Sequence, residues 1–205
     1  EENSGIRGQE ILQPADIERA VELFRRDGLV VVENVLNSEQ IEFLAMGCSE
    51  IVNEVISLDS DSKGNRGSHR YSFGGSSMTR SQLHRPEWQM LLEVPEVIRL
   101  VNAVFGSEDY ILRAGSGDFC LPGAVDYQPL HSDVSDWADN TRSPFSSFFD
   151  PRGQMSIRDL PPPYVCVNFL PQEVTRINGA TRQIPGTQNS RAKIPSLAEE
   201  PEWMR

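Results

Sequence analysis

Within Tyr127-Gln128-Pro129-Leu130-His131-Ser132-Asp133 lie the two side chains best suited to chemistry, an imidazole and a carboxylate two residues apart. In an extended strand side chains alternate faces, so His131 and Asp133 point to the same side with Cα atoms roughly 6.5 to 7 Å apart. One nitrogen and one hard oxygen can then converge on a single ion. Completed by a second His, the pair would form the 2-His-1-carboxylate set that holds Fe(II) and leaves positions open for other ligands. A half-buried His hydrogen-bonded to a nearby Asp, with no ion, is the alternative reading. A His-x-Asp spacing occurs in many chains by chance, so the surroundings of the pair decide between the two.

The elements that must position the pair follow from periodicity. Ile11 to Arg26 carries Ile17, Ala20, Val21 and Phe24 at three-and-four spacing, which predicts an amphipathic helix with Pro14 in its first turn and Gly28 at its end. Leu29-Val30-Val31-Val32 predicts a short strand, and Asn37 to Gln40 offers caps for a second, longer helix through Val55. From Leu58 to Gly75 the composition turns to Ser, Asp, Gly and Arg around His69-Arg70-Tyr71-Ser72-Phe73, which reads as a long loop, either over an active site or a surface excursion. Trp88 to Phe105 returns to helical spacing, broken at Pro95 and ended by Gly106. Short apolar runs follow at Tyr110 to Arg113, Asp118 to Leu121 and Tyr127 to Asp133, then a long polar stretch from Ser135 to Pro163. Tyr164 to Leu170 is the clearest strand pattern, and Asn178-Gly179 between apolar runs predicts a type I′ hairpin. Strands segregated after helices predict a mostly β fold with N-terminal helices, closed as a jelly roll.

Composition narrows the partners. At 205 residues the chain suits one domain, with a helical part over 1–106 carrying the loop at 58–75 and a β core over 107–205. Nineteen Lys and Arg against 30 Asp and Glu give a net charge of −11, so nucleic acid and anionic membrane surfaces are not expected partners. Cys48, Cys120 and Cys166 are odd in number and in no Cys-x-x-Cys spacing, which argues against a disulfide framework or zinc knuckle and suits a reducing interior. With no run of about 18 apolar residues and no signal core, a cytoplasmic location is expected. The start at Glu1-Glu2-Asn3 suggests a trimmed piece.

Three stretches in order carry a family resemblance: His131-Ser132-Asp133, Val165 to Leu170, and Asn178-Gly179-Ala180-Thr181-Arg182-Gln183-Ile184-Pro185-Gly186-Thr187. Together with Phe24-Arg25-Arg26-Asp27-Gly28-Leu29-Val30-Val31-Val32, they resemble the phytanoyl-CoA dioxygenase family of Fe(II)- and 2-oxoglutarate-dependent oxygenases. The resemblance implies a double-stranded β-helix of the cupin-like kind, a small organic substrate, O2, Fe(II) and 2-oxoglutarate. It implies His131 and Asp133 as iron ligands, Gln128, three residues before the His, on the cosubstrate, and Thr181 of the Asn-Gly-Ala-Thr turn beside it. Asn168 is a further candidate for the cosubstrate, or else a structural amide, because an amide in an apolar strand needs a partner if it faces inward. His69, Arg70, Tyr71 and Arg113 are candidates to face substrate, or else surface residues.

Two departures from the family pattern stand out. Pro185-Gly186-Thr187-Gln188 replaces the usual Pro-Gly-Ser-His, and no His follows His131. The resemblance places the second ligand His, and the Arg that pairs with 2-oxoglutarate, on later strands. The C-terminal strands of the jelly roll are thus expected to be missing from this chain and to belong to a longer protein. His69 and His84 precede the expected barrel and are poor substitutes, and Arg182 and Arg191 fall too early for the carboxylate role. Related halogenases carry a small residue in place of the carboxylate, so the retained Asp133 implies hydroxylation, desaturation or ring-forming oxidation. The rival expectations are a non-catalytic jelly-roll binding module and a cupin enzyme that uses another metal without 2-oxoglutarate.

Overall fold

In the computed structural model, residues 9–74, 80–133, 150–162, 164–175 and 177–201 are described. The opening helix is shorter than its apolar spacing predicts. Asp16 accepts from the Gln13 backbone N–H at 2.9 Å and closes a turn after Pro14. Helix α1 therefore starts only at Ile17 and runs Ile17–Asp27, while Ile11–Leu12 (β1) pairs in parallel with Val31–Val32 (β2). Gly28 ends α1 with φ +79° and its N–H on the Phe24 carbonyl at 2.8 Å, a left-handed cap that a Cβ would strain. Helix α2 (Ser38–Ser57) opens with a reciprocal capping box: the Asn37 side chain accepts from Gln40 N–H, and the Gln40 side chain accepts from Asn37 N–H, both at 2.9 Å. Prolines start α3 (Pro86–Leu91) and α4 (Pro95–Phe105), where the missing N–H costs nothing.

Two small cores result. Leu12, Ala20 and Leu23 pack with Val30, Val32 and Leu100, joining β1, β2, α1 and α4. The larger core buries Ile51 and Val55 of α2 against Tyr71, Phe73 and Trp88. Its sheet is an antiparallel pair, β3 (Arg70–Gly74) on β4 (Ser116–Cys120), in the register Arg70↔Cys120, Ser72↔Asp118 and Gly74↔Ser116. Tyr71 stacks on Phe119 at 4.9 Å and Phe73 meets Trp88 edge-on at 5.9 Å. Opposite Phe73 sits Gly117, where a Cβ would lie 2.3 Å from the ring, so this pair closes only on glycine.

The stretch from Leu58 to Gly75 is thus not all loop. Near its end lies β3, and four of that strand's five residues, Tyr71 to Gly74, are buried. The jelly roll is corrected too: the described residues are 32 % helix and 8 % strand, the strands in two separate two-stranded sheets. Apolar runs at Tyr110–Arg113, Tyr127–Asp133, Tyr164–Leu170 and Arg182–Gly186 form no strand among the described residues. Residues with strand propensity become a strand only when another lies alongside. These runs instead leave Ile111, Val167 and Leu170 exposed. Asn178-Gly179 does turn, but only Gly179 takes positive φ, and the Asn178 and Ala180 N–H groups both bond Thr175 O. The turn is not type I′ and carries no hairpin.

Candidate metal centre

Period-two alternation gives the β3–β4 pair two faces. Tyr71, Phe73 and Phe119 fill the core, so Arg70, Ser72, Asp118 and Cys120 share the other side, and the candidate site assembles there. Arg66 reaches it from the preceding turn, donating through Nε to Ser72 Oγ at 2.8 Å. After a turn at Leu121 to Ala124 the chain passes, in neither helix nor strand, into the His131 segment. Arg70 Nη2 donates to Gln128 Oε1 at 3.1 Å, which docks that segment on β3.

His131 and Asp133 then meet without a strand to align them. The His131 Nε2 lies 3.3 Å from Asp133 Oδ1. On the other side of the ring Nδ1 lies 2.9 Å from the Pro129 carbonyl, which can only accept, so Nδ1 carries a proton and Nε2 is the ring atom turned to the carboxylate. A second anchor of this kind fixes tautomer and ring orientation in metal-binding histidines. Donor atoms about 2.1 Å from one ion at neighbouring octahedral positions are about 3 Å apart, close to the spacing seen. The pair therefore fits two positions of a hard divalent ion. Among the described residues no third His, Cys, Asp or Glu joins them to complete a ligand cluster.

Both side chains are about half exposed, 54 % and 55 %, so an incoming ligand can reach them. The hydrogen bond to Asp133, followed by that to Pro129, raises the His131 pKa, and the same bond to His131 holds Asp133 below the usual carboxylate range. Desolvation pushes Asp118 up, against the pull of Arg66 and Arg70. Cys166 is pushed up first by desolvation and then by Asp133 and Asp118, so it stays a thiol.

The family model of phytanoyl-CoA dioxygenase (PhyH) matches residues 24–203. The chain belongs to the phytanoyl-CoA dioxygenase family. No curated protein and no solved structure matches it. A PhyH chain is a dioxygenase-type enzyme, an oxidoreductase with a small-molecule substrate and O2 as its partners. Among the described residues no helix is long and apolar enough to cross a membrane.

Of the other residues singled out in the sequence, Gln128 and Arg70 come to the site. Thr181 is exposed, next to Arg182, which donates to the Gln128 carbonyl at 2.7 Å. Arg113 acts electrostatically on Asp133 and bonds Tyr164. His69 holds a left-handed backbone, φ +62°, and its ring packs on Gly123, where a Cβ would lie 3.0 Å from Nε2. Two expectations are corrected. Tyr71 is 2 % exposed and bonds Asp59 from within the core, on the face away from the site. Asn168 is exposed and accepts from Cys166 at 3.5 Å, so it has no buried amide to satisfy. His84 bonds the Ser81 carbonyl in a 3-10 turn, Gln82–His84. Arg66 and Asp118 go unnoticed in the sequence, although the alternation that pairs His131 with Asp133 also pairs Asp118 with Cys120. The Pro185 to Gln188 turn lies at the end of α1, where Gly186 N–H bonds Asp27 O at 2.8 Å and the Gln188 amide donates to Arg25 O at 2.9 Å.

Proposed function

We propose that this chain supplies part of the active site of an Fe(II)- and 2-oxoglutarate-dependent oxygenase that hydroxylates or similarly oxidises a small organic substrate. The observation that supports it is the convergence of His131 Nε2 and Asp133 Oδ1 at 3.3 Å, with the imidazole anchored on Pro129, in a chain of the PhyH family. His131 and Asp133 would hold the iron. When bound, iron and cosubstrate supply O2 activation coupled to decarboxylation of 2-oxoglutarate to succinate and CO2. The chain's own groups bind and orient. Pro129 keeps the proton on Nδ1, which would leave the Nε2 lone pair for the ion. Asp133 supplies one negative charge against the metal's two. Arg70 holds the carbonyl end of the Gln128 side chain, which would leave its NH2 group as a donor for a cosubstrate carboxylate. Thr181, the exposed residue before Arg182, would offer a hydroxyl. Arg66, Arg70 and Arg113 make this corner of a strongly acidic protein cationic, which suits anionic ligands.

Succinate release from 2-oxoglutarate, measured under air with Fe(II) added to the full-length protein, tests the reading. Succinate that depends on Fe(II) and is lost in His131→Ala supports it. Divalent metal binding with no succinate from any substrate tried would instead indicate a metal enzyme of another type, and no metal binding would indicate a binding protein.

A further inference from the structure

We propose that Arg182 is a positioning residue for the metal ligands, holding the His131–Asp133 segment in register through the main chain of Gln128. The proposal rests on the reading of that pair given above. Residues 125–133 lie in no helix or strand, so side chains must hold them. Arg182 grips this segment at two adjoining residues: Nη2 donates to the Gln128 carbonyl at 2.7 Å, and the guanidinium lies over the Tyr127 ring, with Cζ 5.0 Å from its centroid. The carbonyl it holds is three residues before His131 and one before Pro129, whose own carbonyl anchors the imidazole.

The guanidinium is itself held in place. Nη1 donates to Glu200 Oε2 at 2.7 Å and Nη2 reaches Oε1 at 3.4 Å. Glu200 is 5 % exposed overall, and a carboxylate so buried requires a partner. Glu200 and Arg182 therefore fix each other, and the planar fork carries that rigidity to Gln128. A lysine ammonium has neither the fork nor the flat face that lies on Tyr127. The role differs from that of a carboxylate-binding arginine, because the donors of Arg182 are directed at Glu200 and a main-chain carbonyl of the ligand segment. Gln128 is thus clamped twice, by Arg70 on its side chain and by Arg182 on its backbone.

The test is a Co(II) titration of the full-length protein, followed by the visible absorption of the bound ion. Arg182→Met is expected to weaken Co(II) binding by about 10- to 100-fold, the usual effect of removing a group that orients a ligand. Arg182→Lys is expected to recover little of it. Arg191→Ala is the control, since it removes an arginine of the same C-terminal stretch that pairs with Asp159 at 2.6 Å. Its affinity is expected to match the parent. Should Arg182→Met fail to fold, Glu200→Gln releases the guanidinium while keeping the volume, and the same weakening is expected there. Parent-like affinity in Arg182→Met, or in Glu200→Gln if that is the variant read, overturns the proposal. His131→Ala separates the two claims: a variant that binds Co(II) as tightly as the parent removes the metal centre itself, whereas loss in His131→Ala with no change at Arg182 removes only the positioning role.

Discussion

Among the described residues, those from Ile17 to Leu121 are held mainly by stacked apolar faces, whereas those from Pro122 to Pro201, Ile157 apart, are held mainly by individual polar contacts. The first region buries Leu23, Ile51, Phe73 and Trp88 and needs no help from the second to explain its order. The second is tied down at points: Gln128 to Arg70 and Arg182, Gly186 and Gln188 to the end of α1, Arg191 to Asp159. A buried aromatic is worth several kcal/mol and a hydrogen bond about one. Substitutions in the first region should therefore melt the protein, and those in the second should alter the site while the fold stands. The candidate metal centre lies at the seam, on the polar face of a strand pair whose other face is core.

That division can be broken by experiment. The largest effect is expected from His131→Ala, which should abolish Fe(II)-dependent succinate formation while thermal unfolding shifts by no more than about 0.5 kcal/mol, since the side chain is half exposed and fills no core volume. Next is Phe73→Ala, expected to cost about 3–5 kcal/mol in denaturant unfolding because it empties the space between Trp88 and Gly117. Stability equal to the parent there would mean that the β3–β4 pair does not close the core. Gln128→Ala should leave the melting curve nearly in place and weaken 2-oxoglutarate binding by about 1–3 kcal/mol, measured by calorimetry with Co(II) in place of iron. The smallest is Asn37→Ala, which removes the capping box of α2 and should cost about 1 kcal/mol in unfolding with no change in cosubstrate affinity.

The same division governs what the sequence discloses. The end of α1 and the start of α2 are readable because their signals are local: Gly28 supplies its own left-handed turn, and Asn37 and Gln40 cap each other across three residues. Pro95 marks the start of α4 for the same reason. Strand β3 is hidden because its partner β4 lies far along the chain and its first residues sit in a stretch rich in Ser, Gly and Asp. The opposite error arises at Tyr164 to Leu170, where apolar residues predict a strand but no neighbour accompanies them among the described residues. At the candidate site, His131 and Asp133 stand out by their spacing, and the family pattern nominates Gln128 and Thr181. Arg66, Asp118 and Glu200 are not, since each acts through a contact that only the folded chain brings about. Arg182 is visible as part of the family's motif, but its hold on Gln128 and Glu200 is not.

An anomalous difference map at the iron edge, from crystals of the full-length protein grown anaerobically with Fe(II), reads the central claim most directly. One peak about 2.1 Å from both His131 Nε2 and Asp133 Oδ1 is the expected result. Iron bound elsewhere in a protein that still forms succinate, with His131 and Asp133 joined only to each other, would contradict it.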